Sequence, residues 1–359
     1  MKVCILGKSL TGLTLAKALV NENIYVDIFT SKKNNAPDQS RTIGISKSNL
    51  DFINSKIINV NKIAWNIKKI EIFTDNMKKE KLLQFANNKS DMFFIVKNYK
   101  LFNLLQNSLT NNKYFKKKTF KKNFNFIKSY DLVINTDNYN LITKKYFSKK
   151  IIKKYNSFAF TTIIDHKAIQ NNDIATQIFT KGGPIAFLPI SNKKTSIVYS
   201  ADYTKFEKNE NIYNLINYYN FKYKIIKIGS IKSFELESLN LRSYFHKNIL
   251  AFGDLLHRIH PLAGQGFNMT IRDIKVLVDI IRGRYNLGLP LDSSINLEFE
   301  KKIKHKNYIF SNSVDFLHEF FNLERKTNNS FLSKSVQLFG KNQIINKFLT
   351  KIADKGISY

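Results

Sequence analysis

Short apolar runs of strand type alternate with helically spaced apolar residues at both ends of the chain. Lys2-Val-Cys-Ile-Leu6 has the length and composition of a buried strand, and Leu13 to Val20 follows it at helical spacing. A second strand is predicted at Ile24 to Phe29. Far along the chain, Asn248-Ile-Leu-Ala-Phe252 is another apolar run, followed by helical spacing from Met269 to Ile281. From Leu297 onward apolar residues recur at Phe299 and Ile303, then at Phe316, Leu317, Phe320 and Phe321, which predicts a helical tail. The repeated strand, turn and helix predict an α/β protein.

The turns between these elements carry the candidate chemistry. Gly253 and Asp254 end one strand, and Pro261, Gly264, Gln265, Gly266, Phe267 and Asn268 lead into the helix. A strand-to-helix connection leaves backbone N–H groups of the first helical turn unpaired, so it attracts electron-rich oxygen. Gly264 and Gly266 let a flat ligand approach the backbone, and Asp254 can accept hydrogen bonds from sugar-alcohol hydroxyls. The plain alternative is a polar loop capped by glycines. At the N-terminus, Gly7-Lys-Ser9-Leu-Thr-Gly12 is a near-miss of the dinucleotide fingerprint, with Ser9 where the middle glycine meets pyrophosphate. The acidic residue expected about twenty residues on is Thr30, which has no charged bidentate contact to offer a ribose.

With both ends in view the chain resembles the UbiH-type FAD-dependent aromatic monooxygenases, which hydroxylate the ring of ubiquinone precursors. Three further segments carry the likeness. Gln39-Ser-Arg41-Thr-Ile-Gly-Ile-Ser46 resembles the family's arginine segment beside the flavin. Phe94-Ile-Val-Lys-Asn98 through Leu101 and Leu105 resembles the start of its crossover helix, and Phe179-Thr-Lys-Gly-Gly183-Pro184 through Pro189 its substrate-sheet signature. Arg272-Asp273 matches the same branch. The resemblance implies a Rossmann-like FAD-binding domain, a β-sheet substrate domain and a helical C-terminal tail. Expected segments are 1–60, 95–155 and 240–285 for the FAD domain, 61–94 and 156–239 for the substrate domain, and 290–359 for the tail.

The resemblance also implies roles. Arg41 would contact flavin or its phosphate, with a surface salt bridge as the alternative. Asp254 and the amides of Gly264 to Asn268 would hold the ribityl chain and the pyrimidine edge of the ring. Asp137 keeps half of an Asp-Gly motif near the cofactor ribose, and Asn138, replacing the glycine, tolerates a left-handed backbone. Tyr99 stands where the family places an arginine that reaches the FAD phosphates, so a charge-assisted fork is lost. The lysine-rich stretch from Asn111 to Ser129 is short for the family and is expected to form one hairpin. The cofactor supplies the oxidant, so no protein nucleophile or metal is assigned; His257 and His260 are read as structural. NAD(P)H or another donor would reduce FAD. A polyprenylated phenol or quinol needs an apolar channel, for which Phe158, Phe160, Phe179, Phe187 and Leu188 are candidates, with ordinary core as the alternative.

Length, charge and cysteine content narrow the picture. A chain of 359 residues suggests two structural domains. The single cysteine, Cys4, lies in the first strand and fits packed core in a reducing compartment. No signal-peptide pattern and no apolar run of about eighteen residues is visible, which predicts a cytoplasmic protein, peripheral at the inner face of the membrane. The 58 Lys and Arg against 27 acids give a net charge of +31. Abundant Lys, Asn, Ile, Phe and Tyr point to A/T-rich codons as one source of that charge; an anionic membrane surface is the partner that fits the remainder. The expected contact is the basic amphipathic stretch Lys334 to Lys355, with docking onto the FAD domain as the alternative. Other ubiquinone-biosynthesis proteins are possible partners. Nucleic acid is disfavoured, since no nucleic-acid motif is present and Lys116-Lys117-Lys118, between Phe115 and Phe120, fits a strand edge.

Overall fold

The computed structural model describes residues 1–30, 38–75, 80–86, 91–120, 124–202, 211–261, 264–327, 334, 336–337 and 342–356. The first sheet holds β1 (Lys2–Leu6), β2 (Tyr25–Thr30), β8 (Phe115–Thr119), β9 (Leu132–Asn135), β16 (Phe245–His246) and β17 (Ile249–Ala251) in the order β16-β17-β9-β1-β2-β8. All neighbours are parallel except β16. Its central strands are apolar throughout because helices cover the sheet. Helix α1 (Leu10–Asn21) is buried along most of its length, between the sheet, α3 (Asn98–Thr110) and α6 (Gln265–Asn286).

A second, small antiparallel sheet pairs β7 (Phe93–Lys97) with β3 (Thr42–Ser46) and β4 (Ala64–Ile67). The third and largest sheet contains β5 (Lys69–Thr74), β6 (Lys81–Ala86), β10 (Lys150–His166), β11 (Ile174–Phe179), β12 (Pro184–Ser191), β13 (Lys194–Asp202), β14 (Ile225–Ile228), β15 (Lys232–Leu241) and β18 (His257–Arg258). Helix α5 (Ile212–Tyr219) covers one of its faces through Ile212 and Ile216. The short helices α2 (Lys47–Phe52) and α4 (Leu141–Tyr146) follow β3 and β9, and α7 (Ser294–Thr327) and α8 (Gln343–Lys355) complete the chain. The position 155/156, where the FAD and substrate segments were expected to meet, falls inside the seventeen-residue strand β10. Both segments share one continuous strand.

The expected hairpin between α3 and β9 is absent from the described residues. That stretch instead supplies β8, a parallel edge strand beside β2, and a helical turn at Asn125–Ser129. A buried carboxylate explains the choice. Asp27 on β2 accepts hydrogen bonds from Lys118 Nζ at 2.7 Å and from the Tyr130 hydroxyl at 2.5 Å, with Lys2 Nζ 3.7 Å away. Lys118 reaches it only if β8 lies next to β2. Asp27 therefore serves the sheet and not a ribose.

The tail is docked. Val336 and Ile352 pack into a cluster with Leu82, Met269 and Phe310. Asp354 closes the contact with α2: its Oδ1 accepts from the Ser48 amide, and its carbonyl accepts from the Ser46 and Ser48 hydroxyls. Of the tail's expected apolar residues, Phe348 and Leu349 remain exposed, while Leu338 and Phe339 and the side chains of Ile344 and Ile345 lie outside the described residues.

Burial alone would raise the Asp27 carboxyl, but hydrogen bonds from Lys118 and Tyr130 and the charges of Lys118 and Lys2 outweigh it and hold it below its ordinary value of 3.8. A depressed carboxylate contributes stability above its unfolded value and loses it as pH falls through the folded value. Asp27→Asn is thus expected to lower stability by about 1–3 kcal/mol at neutral pH and to flatten the acid limb of the profile. Urea melts at a series of pH values check both; an unchanged acid limb refutes the linkage.

Candidate active site

Gly7 and Gly253 follow β1 and β17 at the carboxyl edge of the first sheet, where open α/β sheets bind ligands, and Gly264 meets Gly44 on β3. Gly7 ends β1 with φ +104°, and a Cβ there would lie 2.7 Å from Thr136 Oγ1. A Cβ on Gly12 would overlap the carbonyl oxygen of Gly7. Ser9 stays exposed and caps α1, its Oγ accepting from the Gly12 amide at 3.1 Å. The middle fingerprint position is therefore an N-cap as well as a departure. At the other end, Gly253 has φ +66°, and a Cβ on it would come within 2.6 Å of Thr11 Cγ2. This contact sets the exposed carboxylate of Asp254 beside the start of α1.

Asn268 fixes the Gly264 turn and the Gly44 strand against each other. Its Oδ1 accepts from the Ser46 amide and from Asn49 Nδ2, both at 2.9 Å, and its Nδ2 donates to the carbonyls of Gly44 at 3.0 Å and Gly264 at 3.2 Å. The side chain is wholly buried and spent on the protein. What it leaves for a ligand is the backbone around it. Gly264 adopts the left-handed conformation as N-cap of α6, close enough that a Cβ would stand 3.3 Å from the Gly44 amide nitrogen. Gln265 is buried with Oε1 unpartnered among the described residues, Phe267 is half-buried, and Gly266 has open space around its Cβ position. Pro261 is half-buried, while Leu262 and Ala263 lie outside the described residues.

The remaining expected residues lie along the same edge. Asp137 follows β9, its amide donating to Asn135 Oδ1 and its own Oδ1 accepting from the Tyr139 amide. The turn after it does not use the left-handed backbone anticipated for Asn138, which is not among the residues of positive φ. Thr30 is buried at the end of β2, and Tyr99 is half-buried in the first turn of α3. Arg41 has no carboxylate partner among the described residues; its guanidinium lies 5.0 Å from the centre of the Phe234 ring on the large sheet. The adjacent hydroxyls make the same crossing, Thr42 Oγ1 to Ser196 Oγ at 2.8 Å and Ser40 Oγ to Thr161 Oγ1 at 3.3 Å.

These crossings reveal which face of the large sheet looks toward the arginine segment. Antiparallel partners share a face, so Ala159, Thr161, Ser196, Leu188 and Phe234 stand on it, by the registers Ala159↔Phe234 and Leu188↔Ser196. Phe158 and Phe160 alternate to the other face, and Phe160 and Phe187 pack there with α5. Phe179 stacks on Phe321 with ring centres 3.8 Å apart. Of the channel candidates Leu188 and Phe179 stand on the face toward the arginine segment, Phe179 through its register with Pro184.

His257 and His260 are buried, in keeping with structural roles. His257 Nε2 lies 2.6 Å from Asp273 Oδ2, whose Oδ1 accepts from Asn307. His260 packs against Tyr155 and His318. No group of three or more His, Cys, Asp or Glu with metal-binding geometry occurs among the described residues.

Lys8 escaped the sequence reading although it lies inside the fingerprint. It sits over the Phe102 ring, and burial together with the charge of Lys117 lowers its pKa. Two cations thus stand near the phosphate turn, on the side where Tyr99 replaces an arginine. Burial also pushes Arg272 down to about 10, against the opposing charges of Asp273 and Asp354.

No protein-family model matches the chain. It is 27% identical over 130 residues to ubiquinone biosynthesis monooxygenase COQ6 of Schizosaccharomyces pombe, covering 36% of this chain and 27% of that protein. It is 25% identical over 156 residues to 3-demethoxyubiquinol 3-hydroxylase of Escherichia coli, covering 42% and 40%. The matched segments thus span less than half the length of these relatives. Among solved structures it is similar to p-nitrophenol 4-monooxygenase PnpA of Pseudomonas putida, with TM-score 0.75 and 11% identity over 99% of this chain and 98% of that one. Klebsiella pneumoniae HpxO, solved with FAD and uric acid, gives TM-score 0.74 and 12% identity over 99% and 97%.

Replacing Asn268 by Asp keeps the oxygen that accepts from Ser46 and Asn49 but sets a second carboxylate oxygen against the carbonyls of Gly44 and Gly264. A loss of about 2–4 kcal/mol is expected, measured by thermal or urea melts; a wild-type melt would remove Asn268 from its place as the tie between these segments. The resemblance read from the motifs is thus matched by sequence similarity to ubiquinone-biosynthesis hydroxylases, and the fold is that of the FAD-dependent monooxygenases.

Proposed function

We propose that the chain is an FAD-dependent monooxygenase that hydroxylates the aromatic ring of a polyprenylated ubiquinone precursor. The observation that supports this reading is the close approach of Gly7, Gly12 and Gly253 at the ends of β1 and β17, where a Cβ would collide, together with the contact of Gly264 with Gly44 in the arginine segment. These residues fit the cofactor. The Ser9-capped start of α1 and Lys8 would face its phosphates, Asp254 its polyol chain, and the open amides of α6 and Gln265 the polar edge of its ring. Asp137 and Thr30 border the same edge on the ribose side. When bound, FAD reduced by NAD(P)H or another donor activates O₂ and delivers one oxygen atom to an electron-rich ring.

The protein's part is placement and exclusion of water. The start of α6 presents N–H groups and the positive end of its dipole, which stabilise negative charge on the ring as it is reduced. The cleft face with Ala159, Thr161, Ser196, Leu188 and Phe234 offers small and apolar walls to an aromatic substrate beside Arg41. A polyprenyl tail implies a lipid-borne substrate and a protein working at an anionic membrane surface, peripherally on its inner side, beside other ubiquinone-biosynthesis proteins.

Thr30 and Tyr99, which lack the charges of a standard adenosine-side site, favour a second reading: a weakly flavin-binding or non-catalytic lipid- or quinone-binding component of a biosynthetic complex. FAD titration of the purified chain decides between them. Micromolar or tighter binding supports the monooxygenase and failure to bind in a folded chain supports the second reading. Asp254→Ala is expected to keep the melt of the wild type and weaken FAD binding by at least about tenfold; unchanged FAD content would remove Asp254 from the site.

A further inference from the structure

Helix α7 buries one apolar face and exposes apolar residues on another. Ile295, Phe299, Ile303, Phe310, Val314 and Phe321 are buried. On the other side Ile309, Phe316 and Leu323 repeat every seven residues, two helical turns, and stand 41%, 66% and 56% exposed. This stripe is about 21 Å long at 1.5 Å per residue. On a separate flank of the helix, about 100° round from Ile309, Leu297 and Tyr308 are also exposed and with Ile151, Leu241 and Tyr244 line an open groove of about 840 Å³. The groove's charged lining is Arg242, Lys301 and Lys304 against the single acid Glu300.

Charge and apolarity are divided along the helix. Lys301-Lys302-Ile-Lys304-His-Lys306 places four lysines in six positions, directly before the exposed stripe. Within the run Lys302 pairs with Glu298, which also meets Arg284, and Lys304 with Glu300, while Glu319 pairs with Lys153; Lys301 carries the run's charge into the groove. A contiguous exposed apolar patch beside lysines marks a docking surface. A second copy of a chain of net charge +31 would be repelled from it. An anionic bilayer complements both parts, since its surface attracts Lys and Arg and its acyl boundary receives the apolar stripe.

We infer that the outward face of α7, from Leu297 to Leu323, is the surface by which this protein docks on an anionic phospholipid bilayer. The inference rests on the proposal of a lipid-borne substrate and adds where the contact lies. It differs from the contact expected at the basic tail, which is docked on the protein through Asp354 and Ile352.

The test is sedimentation of the full chain with vesicles of phosphatidylglycerol and phosphatidylcholine in equal parts, and with vesicles of phosphatidylcholine alone. Wild type should bind the anionic vesicles and bind the neutral ones at least about tenfold more weakly. The pair Phe316→Ser and Leu323→Ser should weaken binding to anionic vesicles by at least about tenfold with the melt and FAD occupancy unchanged; should the serines lower the melt, the pair Phe316→Ala and Leu323→Ala takes their place. Phe348→Ser with Leu349→Ser, on the tail, should bind as wild type does. The inference is overturned by wild type that ignores anionic vesicles, by equal binding to both lipids, by a stripe variant that binds fully, or by a stripe variant that only turns a dimer into a monomer. Loss of FAD binding with vesicle binding intact would sink the hydroxylase reading and leave the docking surface standing.

Discussion

The carboxamide of Asn268 joins groups 222, 219 and 224 residues away in sequence, and one in its own first helical turn. Each hydrogen bond adds only about 1 kcal/mol net, but a buried partner left unpaired costs more than that, so the four act as one lock. The lock brings Gly264 against Gly44, aims the start of α6 at the sheet edge, and holds α2 where the Asp354 carboxylate can reach it. The arginine segment, the glycine loop and the chain's last helix thus share one anchor.

Much of this was legible in the residue pattern, and what was hidden has a physical reason. The runs at Lys2–Leu6 and Ile249–Ala251 are strands on both counts because a parallel sheet under helices leaves no polar face to disguise them. Gly7 and Gly12 were legible from the fingerprint, and in both places a Cβ would collide with the neighbouring chain. Asn49 and Ser46 were not, since nothing local distinguishes a surface asparagine from one that pairs with a helix start 219 residues on. The substrate-sheet phenylalanines were assigned to a channel by composition; which face they take depends on register and on where the arginine segment crosses, and neither is local. The lysine run of β8 is the strand edge expected of it, but the hairpin was misread for a similar reason: three consecutive lysines suit either, and a buried carboxylate on β2 made the choice.

Positive charge is distributed with a purpose that composition conceals. Some lysines answer buried acids, as Lys118 does Asp27, and others have no acidic partner among the described residues, as Lys8 beside Lys117 at the turn after β1. A field of one sign at that edge favours an anionic ligand before any contact forms. Base bias in the codons accounts for the number of lysines but not for which of them lack an acidic neighbour.

The lock at Asn268 also sets a clock. Ser46 leaves the ribosome long before the residue that holds it, and 222 residues at about 5–20 per second take on the order of 10 to 40 s. Over that interval β1 also waits for β9, its parallel neighbour, and β9 for β17. Parallel pairing across such distances is slow and leaves apolar strands uncovered while synthesis proceeds. A chain of net charge +31 repels its own copies during that wait, so the surplus lysine that complicates the reading of partners also protects the unfinished fold from its neighbours.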